Sequence, residues 1–210
     1  YFSSVTALYY AENLYLNGEL VAELVIPDGV TNIGNEAFHG CGDLTAITIP
    51  NSVTSIGESA FNGCTSLTSI AIGKGVTSIG RKAFYNFTNL QNLYWNAKNV
   101  SDFTSSSNVF YNAGTSSSGI EVVFGDTVEN IPAYLFYVTS ASNKPNVTKV
   151  TLGENVTDIG AYAFYNCVGL TEISMPDTVS IVGQHAFERC LGLKQVSLST
   201  ALTEISDYAF

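Results

Sequence analysis

Residues Val53 to Phe61 read VTSIGESAF, and 23 residues later Val76 to Phe84 read VTSIGRKAF, with seven of the nine letters unchanged. A phrase that returns at a fixed interval with the same apolar residues is typical of one structural unit stacked on copies of itself. The phrase therefore predicts a repeat protein. Its constant letters are assigned to the core, and the changing pair, Glu58-Ser59 against Arg81-Lys82, is assigned to the solvent-facing surface.

The phenylalanine of this phrase counts the copies, because it recurs eight times along the chain. Each unit reads L-x-x-I-x-I-P/G-x-x-V-x-x-I-G-x-x-A-F-x-x-C-x-x, and five of the seven start-to-start spacings are 23, while the other two are 29 and 28. Repeats four and five therefore carry insertions. The units start at Val21, Leu44, Leu67, Leu90, Gly119, Val147, Leu170 and Leu193. The aligned phenylalanines are Phe38, Phe61, Phe84, Phe110, Phe136, Phe164, Phe187 and Phe210.

The letters within one unit predict its local structure. Leu44 to Ile49 alternates apolar and small polar residues, which indicates a short strand buried on one face. Pro50 ends the strand, because proline has no N–H to donate to a sheet. Val53 and Ile56 return the chain to the core. Glu58 to Phe61 contains helix-compatible residues without β-branching, so a short helical turn is expected there.

The repetition determines the fold class. One coil buries its apolar residues only against a neighbouring coil, so the predicted fold is an α/β repeat solenoid of about eight coils, with the phenylalanines stacked in a ladder. The solenoid is expected to span 21–210. Residues 1–20 are expected to cap it with a β-hairpin around Asn17-Gly18, a dipeptide that favours a two-residue turn. The chain starts at Tyr1 and stops within repeat eight, so a fragment of a longer array is expected.

Composition excludes several functions. The formal net charge is -10 with only eight Lys plus Arg, which argues against nucleic-acid or anionic-membrane binding. The sequence has no apolar run of about 18 residues, so no membrane span is predicted in it. We expect a monomer without a cofactor.

Four cysteines share one position, three residues after the ladder phenylalanine, where repeat three has Phe87. A site that accepts phenylalanine is apolar, so buried free thiols are the main interpretation. A disulfide between adjacent coils is the alternative, although parallel Cβ directions fit its torsion poorly. Zinc is disfavoured, because a 23-residue period arranges ligands in a line and not a tetrahedron. The cysteines are Cys41, Cys64, Cys167 and Cys190.

Residues suited to catalysis are sparse. His39 and His185 are the only histidines, and both fall at variable positions in distant repeats. Acidic residues are scattered, and none of the nucleotide-binding, nucleophile-elbow or metalloprotease phrases occurs. The chain is therefore predicted not to be an enzyme, with no catalytic, cofactor or metal residues.

The phrase Ile-Gly-x-x-Ala-Phe-x-x-Cys-x-x-Leu, as in SIGESAFNGCTSLTSI, resembles the BspA-like leucine-rich repeats of bacterial and protist surface proteins. The resemblance covers 21–210. It implies a right-handed superhelix with a parallel sheet on the concave side and short helices or turns on the convex side. It also implies an extracellular or cell-surface module for adhesion-type binding of a protein or glycan. A structural spacer within a longer surface protein is the alternative.

The pattern also suggests where a partner binds. The second and fourth residues after each unit start should point away from the core. In most repeats these positions carry small residues, such as Ala46 and Thr48. Near repeats four and five they include aromatic and charged residues, and the same two repeats carry the inserted loops, which commonly build a binding face. Drift in the loops and a lone exposed aromatic are the alternative. The candidate residues are Asn92, Tyr94, Glu121, Val123 and Lys149.

Overall fold

The computed structural model describes residues 14–16, 18–138, 140 and 142–210. Within them the chain is a β-solenoid of about eight turns, in which a first strand, a two-residue second strand and a turn segment follow one another in most coils. The strands are β1 (Tyr15–Leu16), β2 (Glu19–Leu20), β3 (Glu23–Val25), β4 (Asn32–Ile33), β5 (Ala46–Ile49), β6 (Ser55–Ile56), β7 (Ser69–Ile72), β8 (Ser78–Ile79), β9 (Asn92–Trp95), β10 (Ile120–Phe124), β11 (Asn130–Ile131), β12 (Val147–Thr151), β13 (Asp158–Ile159), β14 (Glu172–Ser174), β15 (Ile181–Val182), β16 (Gln195–Ser197) and β17 (Glu204–Ile205).

The strands of the coils, β3 to β17, form parallel sheets along the stack. The first strands make a six-stranded sheet in the order β12-β10-β9-β7-β5-β3, and β14 pairs separately with β16. The second strands make a three-stranded sheet, β4-β6-β8, and a four-stranded sheet, β11-β13-β15-β17. Coil four contributes no second strand. There the Asp102 carboxylate accepts a bond from the Ala133 N–H (2.8 Å), and the Phe103 N–H donates to the Ala133 carbonyl (3.1 Å).

The hairpin lies at the start of the described chain. β1 and β2 pair antiparallel, with Tyr15 opposite Leu20, and Gly18 in the connection has a φ of 86°. The Val21 N–H donates to the Leu14 carbonyl (2.8 Å), and both side chains pack half-buried against the core. Asn17 and the part of the predicted cap before residue 14 lie outside the described residues.

The phenylalanines form one continuous column through the core. Consecutive ring centroids are 5.1 to 6.0 Å apart from Phe38 to Phe210, and the rings of the middle coils are fully buried. Aromatic contacts of this kind stabilise by roughly 0.5–1.5 kcal/mol per pair beyond the area they bury. The column is therefore a major source of the attraction between coils.

The predicted short helices are wrong, because no helix occurs in the described residues and the turn segment has a different conformation. The residue two before each ladder phenylalanine has φ between 47° and 58°, which a right-handed helix excludes. The Phe61 N–H donates to the Ala83 carbonyl of the next coil (3.0 Å) and not four residues back. Hydrogen bonds to the stacked neighbouring coil thus determine the backbone conformation of the turn segment. These left-handed residues are Glu36, Ser59, Lys82, Asn108, Tyr134, Tyr162, His185 and Tyr208.

The glycine of the Ile-Gly phrase serves close packing between coils. A Cβ at Gly57 would lie 2.5 Å from the Asn35 nitrogen of the coil before, and one at Gly80 would lie 2.5 Å from the Glu58 nitrogen. Neither glycine has a positive φ. Glycine is needed at these positions because the neighbouring backbone occupies the space of a side chain.

Repeat five departs from the pattern at its first residues. Ile120 pairs with Val147, but Glu121 pairs with Lys149, so the register shifts by one residue. Gly119 has a φ of 118°, and the Ile120 side chain is fully buried. Ile120 therefore fills the core site that the unit-starting leucine fills elsewhere.

Replacing a ladder ring tests the core. We expect Phe61→Ala to lower the free energy of unfolding by about 3–5 kcal/mol, since it removes a fully buried ring and leaves a cavity. Glu58→Ala, at an exposed side chain, should cost less than about 0.5 kcal/mol. Denaturant unfolding of both variants measures the difference. Equal losses would contradict the ladder as the core.

A second substitution tests the turn conformation. We expect Ser59→Gly to leave stability unchanged or raise it by up to about 1 kcal/mol, because glycine adopts positive φ without a Cβ clash. A helical turn would instead lose roughly 0.5–1 kcal/mol with glycine. Ser59→Val should destabilise by more than about 1 kcal/mol, since a β-branched residue resists this backbone. Thermal unfolding of both variants distinguishes the two conformations.

Candidate functional site

The five residues singled out from the sequence lie together on the outward face of the six-stranded sheet. In the sheet register, Asn92 on β9 is opposite Glu121 on β10, and Tyr94 is opposite Val123. Lys149 on β12 is opposite Glu121 on the other side. Three neighbouring coils thus bring these side chains into one patch, which we call the sheet patch.

The sheet patch is polar and open to solvent. The Lys149 Nζ lies 3.4 Å from the Glu121 Oε2, and both side chains are more than half exposed, so this ion pair adds little stability. Tyr94 is 44% exposed, while Asn92 and Val123 are half-buried. The patch therefore offers one accessible aromatic ring beside charges of both signs.

The same face is plainer elsewhere. Outward positions on β5 and β7 carry Ala46, Thr48, Ser69 and Ala71, which are small. Val25 on β3 is the exception near the first coil, where it is 67% exposed. The contrast between these strands and the sheet patch marks coils four to six as the most varied part of the face.

The inserted loops lie on a different side of the coil from the sheet patch. The Ser107 carbonyl in repeat four accepts a bond from the Lys82 N–H (2.9 Å), and the Asn143 carbonyl in repeat five accepts one from the Asn112 N–H (2.9 Å). Lys82 and Asn112 both belong to turn segments. The insertions thus extend the turn side, and Tyr94 belongs to the strand side.

The turn side carries an aromatic surface that the sequence analysis missed. At the left-handed position, Tyr134 and Tyr162 stack at 4.8 Å, Tyr162 and His185 at 4.5 Å, and His185 and Tyr208 at 5.2 Å. Tyr137, beside the ladder, meets Tyr134 and Tyr162 edge-on. His185 Nδ1 also contacts the Glu188 carboxylate. A signal existed in the sequence, because the residue two before the ladder phenylalanine is Tyr or His in repeats five to eight, and tyrosine follows that phenylalanine in repeats three to six.

Two further tyrosines stack on the same side. Tyr85 and Tyr111 lie parallel at 4.5 Å, and the Asn143 side-chain amide donates to the Tyr111 hydroxyl (2.5 Å). This bond lowers the pKa of Tyr111, because it stabilises the phenolate oxygen. Burial raises the pKa of Tyr85. The loop that carries Asn143 therefore contacts the stack of Tyr85 and Tyr111 through the Tyr111 hydroxyl.

The four cysteines are free and buried. The Cys64 thiol donates to the Phe38 carbonyl of the coil before (3.3 Å), and the Cys190 thiol donates to Phe164 (3.1 Å). Their apolar surroundings agree with Phe87, which is fully buried at the same position. No group of three or more metal-binding side chains lies within the residues that the structure describes.

A model of the BspA type leucine-rich repeat region matches residues 11–143 and 139–210, in six copies. The chain belongs to the BspA type leucine-rich repeat family. The resemblance drawn from the repeated phrase is thus confirmed. Across the described part of this family member, no helix is long and apolar enough to cross a bilayer.

Solved structures of other leucine-rich repeat proteins share this fold. The T. pallidum leucine-rich repeat protein is 24% identical, with 85% of this chain and 71% of that chain covered and a TM-score of 0.51. A leucine-rich cell surface protein of Faecalibacterium prausnitzii A2-165 is 26% identical, with 86% and 48% covered and a TM-score of 0.56. The present chain spans about half the length of the second protein. A search of curated proteins gave no match.

The thiols of this leucine-rich repeat chain should be unreactive. Burial raises the pKa of Cys190 to about 12 and raises those of Cys41, Cys64 and Cys167. Since the thiolate is the nucleophile, the reactive fraction of Cys190 near pH 8 is roughly a thousandfold below that of an ordinary thiol. We expect a thiol reagent to label the native protein very slowly and all four cysteines in denaturant. Fast native labelling, or fewer than four reactive thiols after unfolding without reductant, would contradict buried free cysteines.

Proposed function

We propose that this chain is a non-catalytic binding module of a cell-surface or secreted protein. It acts as a monomer and engages a protein or glycan through the outward face of its six-stranded sheet, the face that the family resemblance predicts to be concave. Family membership supports a surface protein, as does the similar F. prausnitzii chain, which is described as a cell surface protein.

The observation that carries this proposal is the sheet patch. Tyr94 is an exposed aromatic ring on a rigid strand, and Glu121 and Lys149 beside it supply charges of both signs. Aromatic anchors surrounded by polar residues are typical of contact sites, because the ring contributes a large contact area with little loss of side-chain freedom.

A structural spacer is the second candidate. The small outward residues of β5 and β7 favour it, because they offer no anchor for a partner. A spacer holds other domains apart and binds nothing through its faces. The two candidates therefore differ in whether the isolated chain has a ligand.

Binding to an array of purified extracellular-matrix proteins and glycans separates the two functions. We expect the chain to bind a defined subset, and Tyr94→Ala to weaken that binding roughly tenfold, the loss typical of one contact anchor. Val25→Ala is the matched control, since it removes an exposed apolar side chain from the same sheet face in the first coil. Its binding should equal that of the parent. A silent array favours the spacer, and unchanged binding by folded Tyr94→Ala refutes the sheet patch.

A further inference from the structure

The turn side of repeats three to six differs in charge from the rest of the molecule. The chain has a formal net charge of -10, but residues 81–89, 104–118, 132–146 and 160–169 contain no carboxylate. They do contain Arg81, Lys82 and Lys144, three of the eight basic residues. The turn side of repeats three to six thus carries only positive charges in an otherwise acidic protein, a distribution that attracts an anionic ligand to it.

Two carboxylates at the borders of this side have partners within the protein, while the exposed Glu58 lies on the coil before Arg81. The Asp102 carboxylate accepts the Ala133 N–H (2.8 Å), and Glu188 contacts His185 and the Arg189 Nε (3.8 Å). These contacts hold the two carboxylates against their own neighbours. Asp102 and Glu188 therefore do not neutralise the positive charges of Lys82 and Lys144 at the surface.

Contacts connect these cations into one path along the stack. In repeats three and four, the Lys82 Nζ lies 5.5 Å from the centre of the Tyr85 ring, which stacks on Tyr111. The Asn143 amide donates to the Tyr111 hydroxyl, so the inserted loop of repeat five adjoins the stack. Aromatic rings, amides and ammonium groups thus follow one another on neighbouring coils.

The path continues into repeats six and seven. The Lys144 Nζ lies 3.5 Å from the Asn166 Oδ1, and the Arg189 guanidinium lies 5.9 Å from the centre of the Tyr165 ring. At about 4.8 Å per coil, repeats three to seven span about 20 Å. We call these residues the turn-side track, comprising Lys82, Tyr85, Tyr111, Asn143, Lys144, Tyr165, Asn166 and Arg189.

The chemistry of the turn-side track favours a sugar polymer over a protein. The exposed large aliphatic side chain on the track is Leu191 (84%), beside Arg189 in repeat seven. The described turn side of repeats three to six has none, so an apolar anchor for a protein partner is missing over most of the track. Amides and phenols are abundant instead, as in the bond from Asn112 Nδ2 to Asn86 Oδ1 (3.0 Å). Such groups match sugar hydroxyls, and the cations match carboxylates.

We propose that the turn-side track binds a carboxylate-bearing polysaccharide that lies along the solenoid axis. The inference rests on the proposed role as a binding module, to which it adds a second side of the coil and a ligand class. The stacked tyrosines are already held by one another, so binding costs little side-chain entropy. Lys82 and Lys144 pair with carboxylates on separated sugars, and the phenols and amides bond to the hydroxyls between them.

The probe is an oligomer of galacturonate, which has one carboxylate on every sugar. Neutral glucose oligomers of the same length test for sugar binding without charge, and poly-glutamate of the same length tests for charge without sugar. Calorimetric titration at low ionic strength should show galacturonate binding at least about tenfold more tightly than either comparison ligand. Added salt should weaken this binding, because it screens the ion pairs. Equal or tighter binding of poly-glutamate would assign the track to an acidic protein segment, and equal binding of the neutral sugar would remove the role of charge. Either result overturns the proposal.

Two double variants separate local charge from total charge. Lys82→Ala with Lys144→Ala should weaken galacturonate binding more than about tenfold, since it removes two cations of the turn-side track. Lys74→Ala with Lys98→Ala removes the same number of charges elsewhere and should change binding less than about twofold. Circular dichroism of both verifies folding. Equal effects of the two double variants would contradict the track.

The outcomes for the two proposals are distinct. If galacturonate does not bind but the array shows a ligand that Tyr94→Ala weakens, the turn-side track is wrong and the binding module stands. If galacturonate binds and Lys82→Ala with Lys144→Ala loses it, while folded Tyr94→Ala leaves binding to the array ligand unchanged, the track stands and the sheet patch is wrong. If nothing binds, both proposals fail.

Discussion

The backbone of each coil has to fit against the backbone of the next coil at one fixed distance along the stack, because a coil alone buries no core. Glycine at 57 and 80 follows from this constraint, since the adjacent backbone leaves no room for a Cβ. Threonine side chains meet it as well: the Thr45 Oγ1 donates to the Ala22 carbonyl (3.0 Å) and the Thr54 Oγ1 to the Thr31 carbonyl (3.0 Å), both one coil earlier. The phenylalanine column fills the space inside these matched backbones.

The repeated core residues made the stacked coils predictable from the sequence. The turn conformation was not predictable, because stacking imposes a backbone there that the local residues do not favour. The 23-residue spacing of Phe61 and Phe84 was sufficient for the solenoid, the family and the strand that starts each coil. Glu58 to Phe61 looked helical because its residues have adequate helix propensity, but propensity is weak beside hydrogen bonds to two neighbouring coils. Ser59 therefore adopts a left-handed conformation that could not be predicted from its residue type.

The candidate sites show the same division. Tyr94 and Glu121 could be placed on neighbouring strands from repeat alignment alone, because parallel strands in equivalent coils share a register. The stack of Tyr85 on Tyr111 was harder to predict, because the position after the ladder phenylalanine is tyrosine only in repeats three to six and an insertion separates these two units. The bond from Asn143 to Tyr111 spans 32 residues and depends on how the loop of repeat five folds back. No periodicity encodes such a contact.

The interruptions of the sheets occur at different heights of the stack. The first-strand ladder stops between β12 and β14, whereas the second-strand ladder skips coil four, and the phenylalanine column crosses both gaps. The junctions between coils thus differ in which strand ladders cross them, so the coils are not joined in one uniform way. Coil seven is held to coil six by second strands, turns and rings, and β14 lies against β12 without pairing with it. We expect partial opening of the stack to differ between junctions, because one strand ladder is interrupted at coil four and the other after coil six.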